Sequence, residues 1–301
     1  PNYPLILVSV LFLGLGSAVF HPEGSRVSFM AAGNKRGLAQ SIYQVGGNSG
    51  QALAPLISAF LILPFGMYGA SFVLILTAIG IFMLTKIAIW YRKQLEEEKL
   101  SKVKKVLVSS LPPLTKKQVG IALSLLLVII FARSFYVTNI TNFYVFYLIQ
   151  EYGLTIEKGQ LLIFLFMACG VVGTFFGGSL SDRIGRKNVI LISVVVPIPL
   201  CLALPYVPLW LVVILLIVIG SLIMISFSVT VVYAQELVPT KIGTMAGLTV
   251  GLAFGMGAIG SVLIGILMDK IGIETTMMII SALPILMLVA LALPRDQVAK
   301  V

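Results

Sequence analysis

Apolar residues fall in long unbroken runs along this chain, and polar residues gather in the gaps between them. Nine such runs can be drawn, over roughly 4–31, 37–63, 66–91, 119–149, 159–181, 187–204, 208–235, 243–268 and 273–293. A bilayer core about 30 Å thick takes about 20 helical residues to cross. An α-helix satisfies its backbone N–H and C=O groups internally, which is the condition for crossing lipid. The pattern therefore predicts an all-α integral membrane protein with nine membrane-crossing helices.

Charge separates the gaps into two sets. Lys35 and Arg36 occupy the first gap, and Arg92, Lys93, Lys99, Lys102, Lys104, Lys105, Lys116 and Lys117 the third. Arg183, Arg186 and Lys187 mark the fifth, Lys241 the seventh, and Arg295 and Lys300 the tail. The alternate gaps hold only Lys158 and Lys270, while Arg26, Lys86 and Arg133 lie inside runs. Basic loops stay in the cytoplasm, so the first set and the tail are predicted to be cytoplasmic.

Composition agrees with lipid burial: 59% of residues are hydrophobic and 11% charged, against about 25% charged in a soluble domain. The net charge of +10 is then a matter of topology, and nucleic acid is not expected as a partner. Cys169 and Cys201 both lie in apolar runs. They suit packing and exclude a disulfide framework or a CxxC metal site. No HExxH, P-loop or GxSxG pattern is present. The sequence therefore points away from hydrolytic enzymes and ATP-driven pumps, with no cofactor or metal expected.

Nine spans with a cytoplasmic tail would place the first residue outside, and Pro1 directly abuts an apolar run. A twelve-span protein without its first three spans would read this way. On that expectation residues 1–91 are the remainder of an N-terminal six-helix half. Residues 92–118, with the run Glu96-Glu97-Glu98, are a solvated cytoplasmic central loop, and 119–301 are the C-terminal six-helix half. An internal echo supports two halves: Asn34-Lys35-Arg36-Gly37 parallels Thr240-Lys241-Ile242-Gly243. Small residues follow each, Gly46, Gly47, Gly50 and Ala54 in one and Gly251, Gly255, Gly257 and Gly260 in the other. Such repeats and close-packing small residues suit a rocking transporter.

Polar residues inside spans are expensive and mark candidate function. The first run holds His21-Pro22-Glu23 and Arg26. At 1.5 Å per residue, His21 lies about 4–5 Å from that run's centre and Arg26 about 12 Å. Pro22 frees a backbone carbonyl. His21 and Glu23 are candidates to exchange a proton near neutral pH, although Arg26 could also snorkel and pair with Glu23 structurally. Gln40, Gln44, Asn48 and Gln51 share one helical face in the second run. That stripe must face protein or water, and Gln44 and Asn48 are its candidates for a substrate path. Arg133, Tyr136 and Asn139 lie in the fourth run with Asn142, Tyr144 and Tyr147. Arg133 is too deep to snorkel, so its guanidinium wants an anion, from the protein or from a substrate. Tyr144 and Tyr147 suit an interfacial belt. Gln235 and Glu236 close the seventh run, where a gate or cap is expected.

The fifth gap reads Gly178-Ser-Leu-Ser-Asp182-Arg183-Ile-Gly185-Arg186-Lys187. Its glycines permit a tight reversal and close helix approach. Asp182 can meet a neighbouring helix N-terminus or a basic partner, forming a breakable latch. The stretch resembles the signature loop of the major facilitator superfamily of transporters. A narrower resemblance is carried by Gly14-Leu-Gly-Ser-Ala-Val-Phe-His21-Pro22-Glu23-Gly-Ser-Arg26-Val and by Arg36-Gly-Leu-Ala-Gln40-Ser-Ile-Tyr-Gln44-Val-Gly-Gly-Asn48. It extends through Phe143-Tyr-Val-Phe-Tyr147-Leu, Tyr233-Ala-Gln235-Glu236-Leu-Val-Pro239 and Ala253-Phe-Gly-Met-Gly257. These are similar to the fosmidomycin-resistance branch of that superfamily.

The resemblance implies a proton-driven bacterial inner-membrane exporter of small anionic drugs or metabolites such as fosmidomycin, an anionic phosphonate, working by alternating access. Uptake by proton symport is the alternative, and a channel a remote one. His21 and Glu23 are the expected coupling groups, and Arg133, Arg26, Gln44, Asn48, Tyr136 and Asn139 the expected substrate contacts. Gly178, Asp182, Arg183, Gly185, Arg186 and Lys187 are the expected gating loop. The expected partners are a small-molecule substrate, protons and the bilayer, with the chain acting as a monomer.

Overall fold

The computed structural model describes residues 2–33, 35–57, 63–100 and 114–296, and every regular element among them is helical. In chain order the helices are α1 (Tyr3–Ala31), α2 (Arg36–Ile57), α3 (Leu63–Phe65), α4 (Met67–Leu100), α5 (Lys116–Asn142), α6 (Tyr144–Tyr152) and α7 (Ile156–Ile184). There follow α8 (Arg186–Val195), α9 (Pro197–Ala203), α10 (Leu209–Met224), α11 (Phe227–Leu237), α12 (Ile242–Ile271) and α13 (Ile273–Ala282). Short 3-10 segments cover Leu204–Tyr206 and Pro239–Lys241, and a longer one, Leu283–Ala292, ends the last span. Among the described residues eight helical stretches are long and apolar enough to cross a membrane. The run expected at 37–63 is not one of them. Its helix α2 carries the glutamine and asparagine stripe, and residues 58–62 lie outside the described set.

Four expected spans are jointed rather than continuous. Pro197 and Pro284 each follow a joint, at Val196 and Leu283. A proline there has no N–H to give to the preceding turn. The α10–α11 joint falls at Ile225–Ser226 without a proline, and the α5–α6 joint at Phe143, whose φ of −122° is non-helical. Beyond that joint, Tyr144 and Tyr147 of α6 are 1% and 2% exposed, packed within the protein rather than set in an interfacial belt. Their rings stack 5.4 Å apart, and Tyr147 donates to the Pro205 carbonyl at 3.0 Å.

Residues 1–47 with 109–301 form one compact unit, and 48–108 a second. In the second, α4 continues as helix to Leu100, into the stretch expected to be loop from residue 92. Arg92–Glu96 at 3.0 Å and Lys93–Glu97 at 4.0 Å pair along that exposed end, at the spacing that supports an isolated helix. Residues 101–113 of the expected loop lie outside the described set.

The first unit has two main apolar clusters. One joins α5, α8, α11, α12 and the last 3-10 segment through Leu126, Ile129, Ile190, Val229, Tyr233 and Met287. The other joins the end of α5 to α6, α7, α10 and α13 through Ile140, Leu148, Phe166, Leu216, Ile219 and Ile280. Lipid is as apolar as these side chains, so close packing rather than water exclusion holds the helices together. The α7–α10 seam shows this: a Cβ on Gly173 would overlap the Ser221 carbonyl, and one on Gly177 the Ile225 carbonyl.

Candidate functional site

The basic end of the first unit is closed by charged and polar groups from six segments. Gly178 of α7 lies against Gly37 of α2 so closely that a Cβ would overlap the Gly37 carbonyl and the Ser41 hydroxyl. One turn later, the Asp182 carboxylate accepts from the backbone N–H of Gly37 at 3.0 Å and of Leu38 at 2.9 Å. These are orphan donors at the start of α2, where the helix dipole also favours a negative charge. Gly185 then takes φ +94° between α7 and α8, a backbone conformation that favours glycine. This turn brings Arg186 back over the helix ends.

Arg186 is 7% exposed. It pairs with Glu236 of α11 at 3.0 Å, with Asp182 at 3.5 Å and with Asp296 at 3.9 Å. Glu236, 2% exposed, also takes Arg36 of α2 at 3.4 Å, and the Arg36 guanidinium lies 4.5 Å from the centre of the Phe29 ring. Lys187 donates its ammonium to the Leu291 and Leu293 carbonyls, and Arg183 is exposed. Next to the charges, Gln235 donates to Ser25, which donates to Gln40 (both 3.0 Å), and the Ser41 and Ser228 hydroxyls meet at 3.2 Å. A carboxylate buried between two arginines holds only while all partners stay seated, because leaving one charge unpaired is costly.

Away from that end, α1 and α12 bound a half-enclosed cleft of about 260 Å³ lined by Ser17, His21, Pro22, Gly247, Gly251 and Phe254 among others. The His21 ring lies 5.5 Å from that of Phe254, and Tyr43 of α2 donates to the His21 carbonyl at 3.5 Å. Helix α1 runs through Pro22 unbroken. Glu23 is exposed and pairs with Arg26 at 3.9 Å, one turn along the same helix.

Arg133 stands apart from this cleft, 3% exposed between α5 and α11. Its guanidinium donates to Ser226 at 3.2 Å and Thr230 at 3.4 Å, and lies 5.0 Å from the centre of the Phe227 ring. Among the described residues no carboxylate pairs with it. Hydroxyls and a ring face solvate the charge without neutralising it.

The remaining predicted contacts scatter. Tyr136 is buried beside Cys201, and Asn139 donates to the Met277 sulfur at 3.3 Å. Both sit in or against the second apolar cluster rather than along the cleft. Gln44 is 4% exposed, and its amide nitrogen finds no acceptor among the described residues. Asn48 belongs to the second unit. Sequence reasoning took Arg36 as a topology charge and gave no role to Ser41, Ser228 or Asp296. A charge just inside a helix end was the one available sign.

Membrane-length helices around a cleft, tied at one end by a cluster of ion pairs, define a multi-pass membrane transporter. The chain belongs to the major facilitator superfamily, whose family profile (Major Facilitator Superfamily) matches residues 1–252. It is 52% identical over 299 residues to the uncharacterized MFS-type transporter YfnC of Bacillus subtilis (strain 168), covering 99% of this chain and 72% of that protein. It is 40% identical over 296 residues to the fosmidomycin resistance protein of Escherichia coli (strain K12), covering 98% of this chain and 72% of that protein. Its fold resembles the crystal structure of the transporter FucP in the outward conformation, with a TM-score of 0.67 at 16% identity, over 97% of this chain and 76% of that one.

Proposed function

We propose that the protein exports small anionic molecules, phosphonates such as fosmidomycin among them, in exchange for protons and by alternating access. It works as a monomer in the bacterial inner membrane, with its basic end, central loop and C-terminus in the cytoplasm. Substrate, protons and lipid are its partners. Residues 1–91 and 119–301 act as the two bodies that rock about the substrate.

The observation that carries the anionic substrate is Arg133, a buried guanidinium held by hydroxyls and a ring with no carboxylate paired to it among the described residues. Such a charge is expensive in the membrane and gains most from a bidentate oxyanion. His21 and Glu23 take up and release the proton, and Arg26, Gln44, Asn48, Tyr136 and Asn139 shape the path. The Asp182–Arg186–Glu236–Arg36 cluster is the cytoplasmic gate, closed as described above. Similarity to the fosmidomycin resistance protein supports fosmidomycin as a member of the substrate class.

Fosmidomycin tolerance of cells making the protein, compared with an Arg133→Ala version of equal membrane abundance, tests this reading. Raised tolerance that the variant loses is expected. Equal tolerance in the two would remove Arg133 from substrate binding, and no tolerance from either would redirect the search to other substrates and to uptake. Coupling is tested separately: a Glu23→Gln variant that still moves drug against its gradient at full rate would exclude Glu23.

A further inference from the structure

We infer that the segment Pro294–Asp296, just beyond the last helix, is a strap that preorganises the gate, with Asp296 as a positioning residue for Arg186. The inference rests on reading the ion-pair cluster as the gate. Helix α8 starts at Arg186, and its cap position is Gly185, which has no side chain to offer the first N–H groups. Asp296 takes that place from the other end of the unit. Its carboxylate accepts from the backbone N–H of both Arg186 and Lys187, and its side chain is 3% exposed.

The tie is reciprocal. Lys187 donates to the Leu291 and Leu293 carbonyls that end the last span, orphan acceptors of the kind cations satisfy. Tyr233, fully buried, donates its hydroxyl to the Pro294 carbonyl at 2.8 Å. Tyr233 and Glu236 are three residues apart on α11, so they share a face. The strap thus holds both carriers of the central pair, α8 with Arg186 and α11 with Glu236. Neither contact touches α2, the helix that leaves when the gate parts. Asp296 therefore acts on gating only through the pose of Arg186. Without it the first turn of α8 loses its cap, Arg186 is freer, and the Arg186–Glu236–Arg36 bridge forms less often.

The test reads gate opening directly. In a background lacking Cys169 and Cys201, Ser41→Cys places a thiol where Ser41 is now fully buried against Ser228 and Gly178. The rate at which a maleimide labels it in membranes measures the parted state. Asp296→Ala is expected to speed labelling about two- to thirtyfold, the range a lost helix cap supports. Tyr233→Phe, which keeps the packing, should raise it less, and Asp182→Asn is the gate's own control. Faster labelling with Asp182→Asn, but the parental or a slower rate with Asp296→Ala, overturns the strap and leaves the gate standing. Parental rates in both overturn the gate reading, and the strap with it. A purely structural Asp296 would lower the unfolding temperature without moving the labelling rate. Should Asp296→Ala fail to reach the membrane, Asp296→Asn and Tyr233→Phe carry the same test, and parental labelling in both overturns the proposal.

Discussion

Gly178→Ala isolates the gate from the fold. The added Cβ would stand 2.7 Å from the Gly37 carbonyl carbon, besides overlapping the Gly37 oxygen and the Ser41 hydroxyl. Carbon atoms in contact prefer about 3.5–4.0 Å, so α2 and α7 must separate by roughly 1 Å. That separation stretches the bonds from Gly37 and Leu38 to Asp182, now 3.0 and 2.9 Å, out of useful range. Overpacking of this kind costs about 1–3 kcal/mol, a shift of about 5–150-fold between two states. On the proposed gate the cost falls on the assembled state, because Gly178 meets α2 while Gly173 meets α10. A thiol placed by Ser228→Cys should therefore be labelled at least about fivefold faster in Gly178→Ala, with little change in unfolding temperature. Gly173→Ala should do the reverse, lowering the unfolding temperature without exposing that thiol. Parental labelling in Gly178→Ala, or faster labelling in Gly173→Ala, would refute the assignment of the α2–α7 contact as the parting surface.

Four further outcomes follow from the same geometry. Arg133→Met should fold at least as stably as the parent in thermal unfolding, since removing a buried charge for an apolar side chain is often neutral or stabilising, while export of an anionic phosphonate falls below detection. Arg133→Lys should keep partial export, because a point charge replaces a two-pronged donor, and full activity there would argue against bidentate recognition. Glu236→Gln leaves Arg36 and Arg186 facing each other near a neutral amide, a loss of about 3–5 kcal/mol for a broken buried pair, so turnover should collapse and the Ser41→Cys thiol should stand open to maleimide. Tyr147→Phe removes one bond to the Pro205 carbonyl, worth about 1 kcal/mol. It should lower the unfolding temperature slightly and leave export kinetics alone.

The spans were readable because lipid imposes one rule on every residue they contain. Jointing was readable only where a proline announced it: Pro197 and Pro284 lie beside breaks, whereas the break at Ser226 carries no such sign. Tyr144 and Tyr147 misled because an aromatic near a span end looks the same whether it faces headgroups or packs inward, as Tyr147 does against the Pro205 carbonyl. The signature loop showed that Asp182 wanted a helix end or a cation, but not which ones, and its partners Gly37 and Leu38 lie some 145 residues away in sequence. Arg36 and Glu236 are 200 apart, and Arg186 and Asp296 are 110 apart. Ion pairing at such range leaves no periodic trace. One local clue does remain in the chain. Helices α5 and α7 begin at Thr115 and Thr155, which cap their own first turns. Helices α2 and α8 follow Lys35 and Gly185, which have no acceptor to offer. A helix start without its own cap can take an oxygen from elsewhere in the chain, and at α2 and α8 those oxygens come from Asp182 and Asp296. The first ties α7 to α2, across the surface the proposed gate would part, and the second ties the end of the last span to α8. On the proposed gate, that difference makes one carboxylate the latch and the other its support.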